Sequence, residues 1–168
     1  MRYNFFLISL LLSWSMAAQD GGQSSFLFVN VEHSPRLEAL GGSAIAVFDN
    51  DVSLSQNTPS LLNSEMDNEL SFAFGDYFAD ISLVSCSYAV SLDKIGILGV
   101  YLEAINYGDF ERNDAAGYNY GDFSASDQTI TFGIGRKIHE KFSFGVNLSL
   151  LNSNYDTYTS LALSSNIS

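Results

Sequence analysis

The chain has 168 residues, with 19 acidic side chains against seven basic ones and a net charge of −12. Such a surface has no basic stripe to displace counterions from a phosphate backbone, which argues against duplex or single-stranded nucleic acid as a partner. Beyond the N-terminus there is no run of about 18 apolar residues, so a helical membrane protein is excluded as well. A mean hydropathy of +0.10 suits a water-soluble fold and a β-barrel equally.

Residues 1–17 read as a secretory signal peptide. Arg2 supplies the positive start, Phe5–Leu12 the apolar stretch, and Ser15-Met16-Ala17 a small-x-small cleavage site, with Ala18 as the other cleavage point. The apolar stretch is too short to span a bilayer, and no cysteine at the junction offers a lipid anchor. A buried first helix is the alternative.

Residues 18–68 read as an irregular, partly helical hatch or plug. After the polar Gly21–Ser25, Ser34 is placed to cap a helix with Pro35 at its first position, and Gly41-Gly42 to stop it. Thr58-Pro59-Ser60-Leu61-Leu62 repeats the start signal, with Asn63 near the end of a second short helix. Between them lie the apolar Ala44–Phe48 and the acidic Asp49-Asn50-Asp51. The segment is too irregular for a sheet and too apolar for disorder, and would suit the lumen of a barrel.

Residues 69–168 read as five strands and the start of a sixth. Glu69–Gly75 places Leu70, Phe72 and Phe74 on one face. In Asp80–Val90 the alternation slips after Ile81 and Leu83 to Val84, Cys86, Tyr88 and Val90, and a bulge near Leu83–Val84 would reconcile the two registers. Ile95–Asn106 turns Leu98, Val100, Leu102 and Ala104 one way and Gly99, Tyr101 and Glu103 the other. Gln128–Arg136 and Phe142–Leu150 alternate strictly, Ile130, Phe132, Ile134, Phe144, Val146 and Leu148 against Thr, Gly, Ser and Asn. The sixth strand begins near Thr159. The non-apolar face lacks the Lys, Glu and Arg of a solvated sheet, and the strands approach the roughly 9–11 residues that cross an outer membrane. This predicts an all-β fold, the N-terminal portion of an antiparallel transmembrane barrel.

Ser91–Lys94 and Ile138–Lys141 read as tight turns and Tyr107–Ala125 as a long loop, the periplasmic and outer ends of such a barrel. In that loop Tyr107-Gly108-Asp109-Phe110 is echoed by Tyr120-Gly121-Asp122-Phe123. Two readings stand: strand ends facing each other across a hairpin, or a partner-binding loop using Tyr107, Asp109, Phe110, Tyr118, Tyr120 and Phe123. Five or six strands cannot close a transmembrane barrel, for which about eight are needed, so the expectation is an N-terminal part of a longer protein.

No cofactor, metal or catalytic set can be read from the sequence. Asp49-Asn50-Asp51 begins like a calcium loop, but Leu54 and Ser60 stand where Gly and Glu are required. Gly133-Ile134-Gly135 has no strand-to-helix setting for a nucleotide. Cys86, the single cysteine, reads as a small wall residue. His33 is placed to bond within the plug, His139 lies in a turn, and Glu103, facing the lumen, calls for water around it or for Arg36 or Arg136 as a partner.

In Ser34-Pro35-Arg36-Leu37-Glu38-Ala39-Leu40-Gly41-Gly42, Asp49-Asn50-Asp51, Asn57-Thr58-Pro59-Ser60-Leu61-Leu62-Asn63, Phe78-Ala79-Asp80-Ile81 and Asn106-Tyr107-Gly108-Asp109-Phe110 the chain resembles the PorQ/PorV family of type IX secretion proteins, itself similar to FadL-like barrels. Thr58 departs from the Asn-Pro pair usual in FadL-like hatches. The resemblance implies a roughly fourteen-stranded, non-enzymatic outer-membrane barrel of a Bacteroidetes-like bacterium. Its hatch would include Pro35, Gly41, Gly42, Asp49, Asp51, Asn57 and Pro59. The implied partners are outer-membrane lipid, other secretion-complex proteins and a surface-exposed protein held by the outer loops. The alternatives are a FadL-like channel for hydrophobic solutes, in which the plug shifts, and a soluble secreted β-sandwich binding module. The channel would need a continuous apolar pocket, and the sandwich charged outward faces.

Overall fold

The computed structural model describes residues 26–42, 44–114 and 116–168. The expected signal peptide and the polar Gly21–Ser25 lie outside the described residues. What is described is a six-stranded antiparallel sheet with strands in sequence order, β1 to β6, and an irregular plug seated on one face. The strands are β1 Leu70–Asp76, β2 Ser82–Leu92, β3 Gly96–Asn113, β4 Asn119–His139, β5 Phe142–Tyr155 and β6 Tyr158–Ile167. The all-β expectation therefore holds. Among the described residues, β1 and β6 do not pair with each other.

The period-two pattern decides which face is which. On β4, Thr129, Thr131, Gly133 and Gly135 are buried beneath the plug, while Ile130, Phe132 and Ile134 are exposed. Thr131 is 3% exposed and its neighbour Phe132 is 51% exposed. The same holds for β5, where Asn147 is buried and Val146 and Leu148 are exposed, and β1 exposes Leu70, Phe72 and Phe74. The sheet thus covers its small polar face and leaves its bulky apolar face bare, the reverse of a sheet folded in water.

Two corrections concern the strands. No bulge interrupts β2: its pairing with β1 and with β3 runs without a register shift. Ile81 and Leu83 share the plug-facing side with Ser85, Ser87 and Ala89, and the pattern looks broken only because that side is locally apolar. There Leu83, Ile105 of β3 and Leu151 of β5 close around Phe28 of the plug. The second correction concerns the extent of the loop at Tyr107–Ala125: most of it is paired strand, as the reading of strand ends facing each other across a hairpin expects. β3 and β4 continue pairing through it, with shifts between Asn106 and Asp109 and between Glu111 and Asn113, and only residues 114–118 connect them. Every connection is short, and the asymmetry between the two ends lies in strand length.

Among its described residues the plug holds one α-helix, α1 (Pro35–Ala39), built as expected: the Ser34 side chain accepts from Leu37 N, and Gly41 and Gly42 take φ values of 93° and 80° to end it. The second expected helix is only a single 3₁₀ turn at Pro59–Leu61. Asn63 does not end it but caps the next turn, Ser64–Met66, by accepting from Glu65 N. Further 3₁₀ turns occupy Leu27–Asn30 and Val52–Ser55. Leu37, Ala44, Leu54 and Leu61 form a small core inside the plug. Val52, Leu62 and Met66 pack on Ala89, Ile97 and Tyr101 of the sheet. At about 1.5–3 kcal/mol for each fully buried large side chain, this last cluster and the one around Phe28 dominate the attachment of plug to wall.

Candidate functional site

Two places gather the residues singled out above: the seat of the plug on the wall, and the extended hairpin of β3 and β4.

The seat is made possible by glycine. Across β4 and β5, Gly135 pairs with Gly145, and Pro59 of the plug lies directly on both. A Cβ at Gly135 would come within 2.6 Å of the Leu62 Cβ, and one at Gly145 within 2.6 Å of the Pro59 carbonyl oxygen. Neighbouring Gly99 and Gly133 are also cross-strand partners, and the ring of Tyr101 lies over them. Tyr101 is fully buried, and its hydroxyl shares a 2.7 Å hydrogen bond with Ser55 Oγ of the plug. Further ties run from Asn147 Nδ2 to the Gln56 carbonyl, from Asn166 Nδ2 to the Asn57 carbonyl at 2.7 Å, and from Ser85 Oγ to the His33 carbonyl at 3.4 Å.

Of the expected hatch residues, Asp49 and Asp51 come together on α1, the helix that Pro35 opens and Gly41 and Gly42 end. Arg36, from α1, donates to Asp49 and, at 3.0 Å, to Asp51. Asp51 also caps the turn after it, accepting from Ser53 N and Oγ. Burial pushes the Asp51 carboxyl up, but the Ser53 and Arg36 bonds outweigh it and hold the group below its ordinary value. Asn57 and Pro59 lie apart from this group, at the seat itself.

Glu103 faces inward as expected, but its partner is neither Arg36 nor Arg136. Arg36 is taken by the two aspartates, and Arg136 Nη1 donates to the Lys94 carbonyl. Glu103 Oε1 instead lies 3.1 Å from Nδ1 of His33, so the imidazole expected to bond within the plug faces the wall, and neither of its nitrogens has a hydrogen-bond partner among the described residues. His139 is exposed at the end of β4.

The hairpin carries Asp109, Phe110, Tyr118, Tyr120 and Phe123. Phe110 and Phe123 are paired across the strands with rings stacked at 5.3 Å, and Tyr118 and Tyr120 stand exposed. Arg112 lies 5.9 Å from the Phe123 ring centre and 6.0 Å from that of Tyr120, and is anchored by Asp156 of the β5–β6 turn. Tyr107, expected among the surface aromatics, turns inward instead. It stacks on Tyr155 at 6.0 Å and donates a 2.6 Å hydrogen bond to Asp127, which also accepts from Tyr155 at 2.9 Å and from Ser153. Asp127 is 1% exposed. It was not singled out from the sequence because Ser and Ala around it resemble the start of a polar strand.

Two cavities flank the seat. One of about 560 Å³, at the turn end, is lined by Phe48, Leu62 and Ile97 together with Arg136, Lys137 and Lys141. The other, about 130 Å³, is polar and lies between plug and wall among Glu103, Gln56, Asn57, Thr131 and Asn147. Among the described residues no group of His, Cys, Asp and Glu could hold a metal ion. Cys86 is half-buried and free. No family model, curated protein or solved structure matches the chain.

Proposed function

We propose that this chain forms part of the wall and the plug of a non-enzymatic outer-membrane β-barrel, exported by its N-terminal signal, in a type IX secretion and cell-surface attachment complex. Its outer hairpin would hold a partner protein. The observation that carries the membrane reading is the inverted sheet: apolar side chains bare, Thr, Ser, Asn and Gly covered by the plug. Lipid accepts that outer face without penalty, and water does not. In lipid the unpaired edges of β1 and β6 demand further strands, because hydrocarbon satisfies no backbone N–H or C=O. The motif resemblance, not the sheet, supports the placement in a secretion complex.

The hairpin suits the anchoring role. β3 and β4 have 18 and 21 residues, whereas about 9–11 residues cross the hydrocarbon, so the remainder stands clear of the wall as a stiff aromatic finger. A second reading, a channel for hydrophobic solutes, draws on the 560 Å³ cavity, where apolar Phe48, Leu62 and Ile97 stand beside Arg136, Lys137 and Lys141 and the acidic Glu65 and Glu140. It requires the plug to leave its glycine seat.

The test pairs two substitutions and one replacement. Phe132→Arg, on the bare face, is expected to cost about 2–4 kcal/mol near the bilayer midplane and to block insertion into phospholipid vesicles. Ser164→Arg, on the inward side of β6, is expected to insert. Equal effects would sink the lipid-facing reading. Exchanging residues 112–121 for Asn-Gly, so that Glu111 and Asp122 flank a tight turn, is expected to leave insertion intact and abolish co-purification of the surface partner. Retained co-purification would remove the finger from the anchoring role.

A further inference from the structure

We propose that the contact between His33 and Glu103 is a proton-operated fastener, holding the plug to the wall in mildly acidic surroundings and loosening it as pH rises. It stands on the plug–wall contact alone and does not need the membrane reading.

His33 belongs to the plug and Glu103 to β3, so their 3.1 Å approach spans the interface. His33 is 8% exposed. The approach is close but poorly directed for a hydrogen bond, and Nε2 has no partner among the described residues. Attraction between opposite charges is what such a contact offers, and it exists only while the imidazole carries its second proton.

Among the described residues the surroundings supply no replacement cation. Across the sheet Glu103 lies between Ser85 of β2 and Thr129 of β4, both neutral. Arg36 and Arg136 are engaged elsewhere. The other charged group beside His33 is Glu32 on the plug, whose Oε1 accepts from Ser34 N at 3.3 Å. When His33 loses its proton, two carboxylates remain at a largely buried interface with nothing between them. Protons reach the site through the polar 130 Å³ chamber, which Glu103 lines and which has room for a few waters.

Both titrations carry the same sign. Burial alone pulls the His33 imidazole down, and the Glu103 carboxylate 3.1 Å away more than reverses this, leaving it above its ordinary value of 6.5. Burial raises Glu32 above its ordinary value of 4.5, and the Glu103 charge adds to the rise. A group that holds its proton more tightly in the seated state favours seating below its free value and loses that contribution as pH rises through its seated value. For His33 the loss therefore falls above pH 6.5.

The experiment is hydrogen exchange of the full chain in detergent micelles, corrected for intrinsic exchange rates, at pH values below and above the His33 titration. Protection of residues 52–66 is expected to fall about tenfold on going to the higher pH, while residues 128–136 of β4 stay unchanged. His33→Gln is expected to abolish the dependence. Should that variant fail to fold, Glu103→Gln, which removes the countercharge and keeps the shape, is expected to abolish it too. Constant plug protection in the unmodified chain overturns the proposal, as does an undiminished pH dependence in either variant.

Discussion

Adding one methyl group at Gly135 or Gly145 is the sharpest perturbation the seat admits. Neither glycine has positive φ, so alanine brings no backbone strain, and away from the plug it would favour a strand by roughly 0.5–1 kcal/mol over glycine. Against that gain stands the plug itself. The new Cβ at Gly135 would meet the Leu62 Cβ at 2.6 Å and the Pro59 carbonyl more closely still, and the nearest atoms at Gly145 are backbone of Pro59 and Ser60. Backbone in a 3₁₀ turn packed on the sheet cannot swing aside like the end of a lysine, so the plug must lift. Overpacking of this kind costs about 1–3 kcal/mol, roughly a tenfold to hundredfold shift toward the unseated plug. The control is Gly75→Ala, whose Cβ would find only Leu83 at an ordinary 3.8 Å. Limited proteolysis of the plug, with the sheet followed by far-UV circular dichroism, is the assay. Gly135→Ala and Gly145→Ala should expose residues 52–66 to cleavage with the sheet retained, and Gly75→Ala should not. A plug as resistant in Gly135→Ala as in the unmodified chain would refute the glycine seat.

Two further outcomes are expected. Asp127→Ala strands three hydroxyl donors, those of Tyr107, Tyr155 and Ser153, in a buried site, and should destabilise the base of the finger by about 2–4 kcal/mol in urea unfolding, whereas Asp127→Asn, which keeps an acceptor, should cost less. At the other corner of the plug, Asp51 is held below its ordinary value of 3.8, so its contribution is present above that pH and is lost as pH falls through the lowered value. Hydrogen exchange should show the turn at residues 52–55 opening in acid, and Ser53→Ala should move the opening to higher pH. With His33 acting in the opposite sense, the plug is held most firmly between the two titrations.

The strands that could be read from the sequence were those where each face has one character. Gln128–Arg136 and Phe142–Leu150 alternate bulky with small residues, and both lie inside the observed β4 and β5. Where the plug meets the wall through an apolar cluster, inward Leu83 looks like its outward neighbour Val84, and a false slip results. The finger was read as a loop because Gly108, Gly117 and Gly121, with the aspartates between them, carry turn chemistry. Pairing of Phe110 with Phe123 overrides those local preferences. Ser34, Pro35 and Gly41-Gly42 revealed α1 because capping is a local matter. What the local pattern could not reveal was which backbone would lie on Gly135, or that Glu103 would find a histidine 70 positions away instead of an arginine. Tyr101, a large ring on a face of small residues and two places from Gly99, was the one signal of the seat available in advance.

The ties that seat the plug also constrain the order of folding. Asn147 reaches back 91 residues to Gln56 and Ser168 reaches back 108 to Ser60, and pairings so distant along a chain form late. Residues 52–66 precede β4 and β5 in the chain, yet have nowhere to land until those strands are laid side by side. Until then Val52, Leu62 and Met66 stay uncovered, an interval in which the chain offers an apolar handle that the finished fold no longer presents.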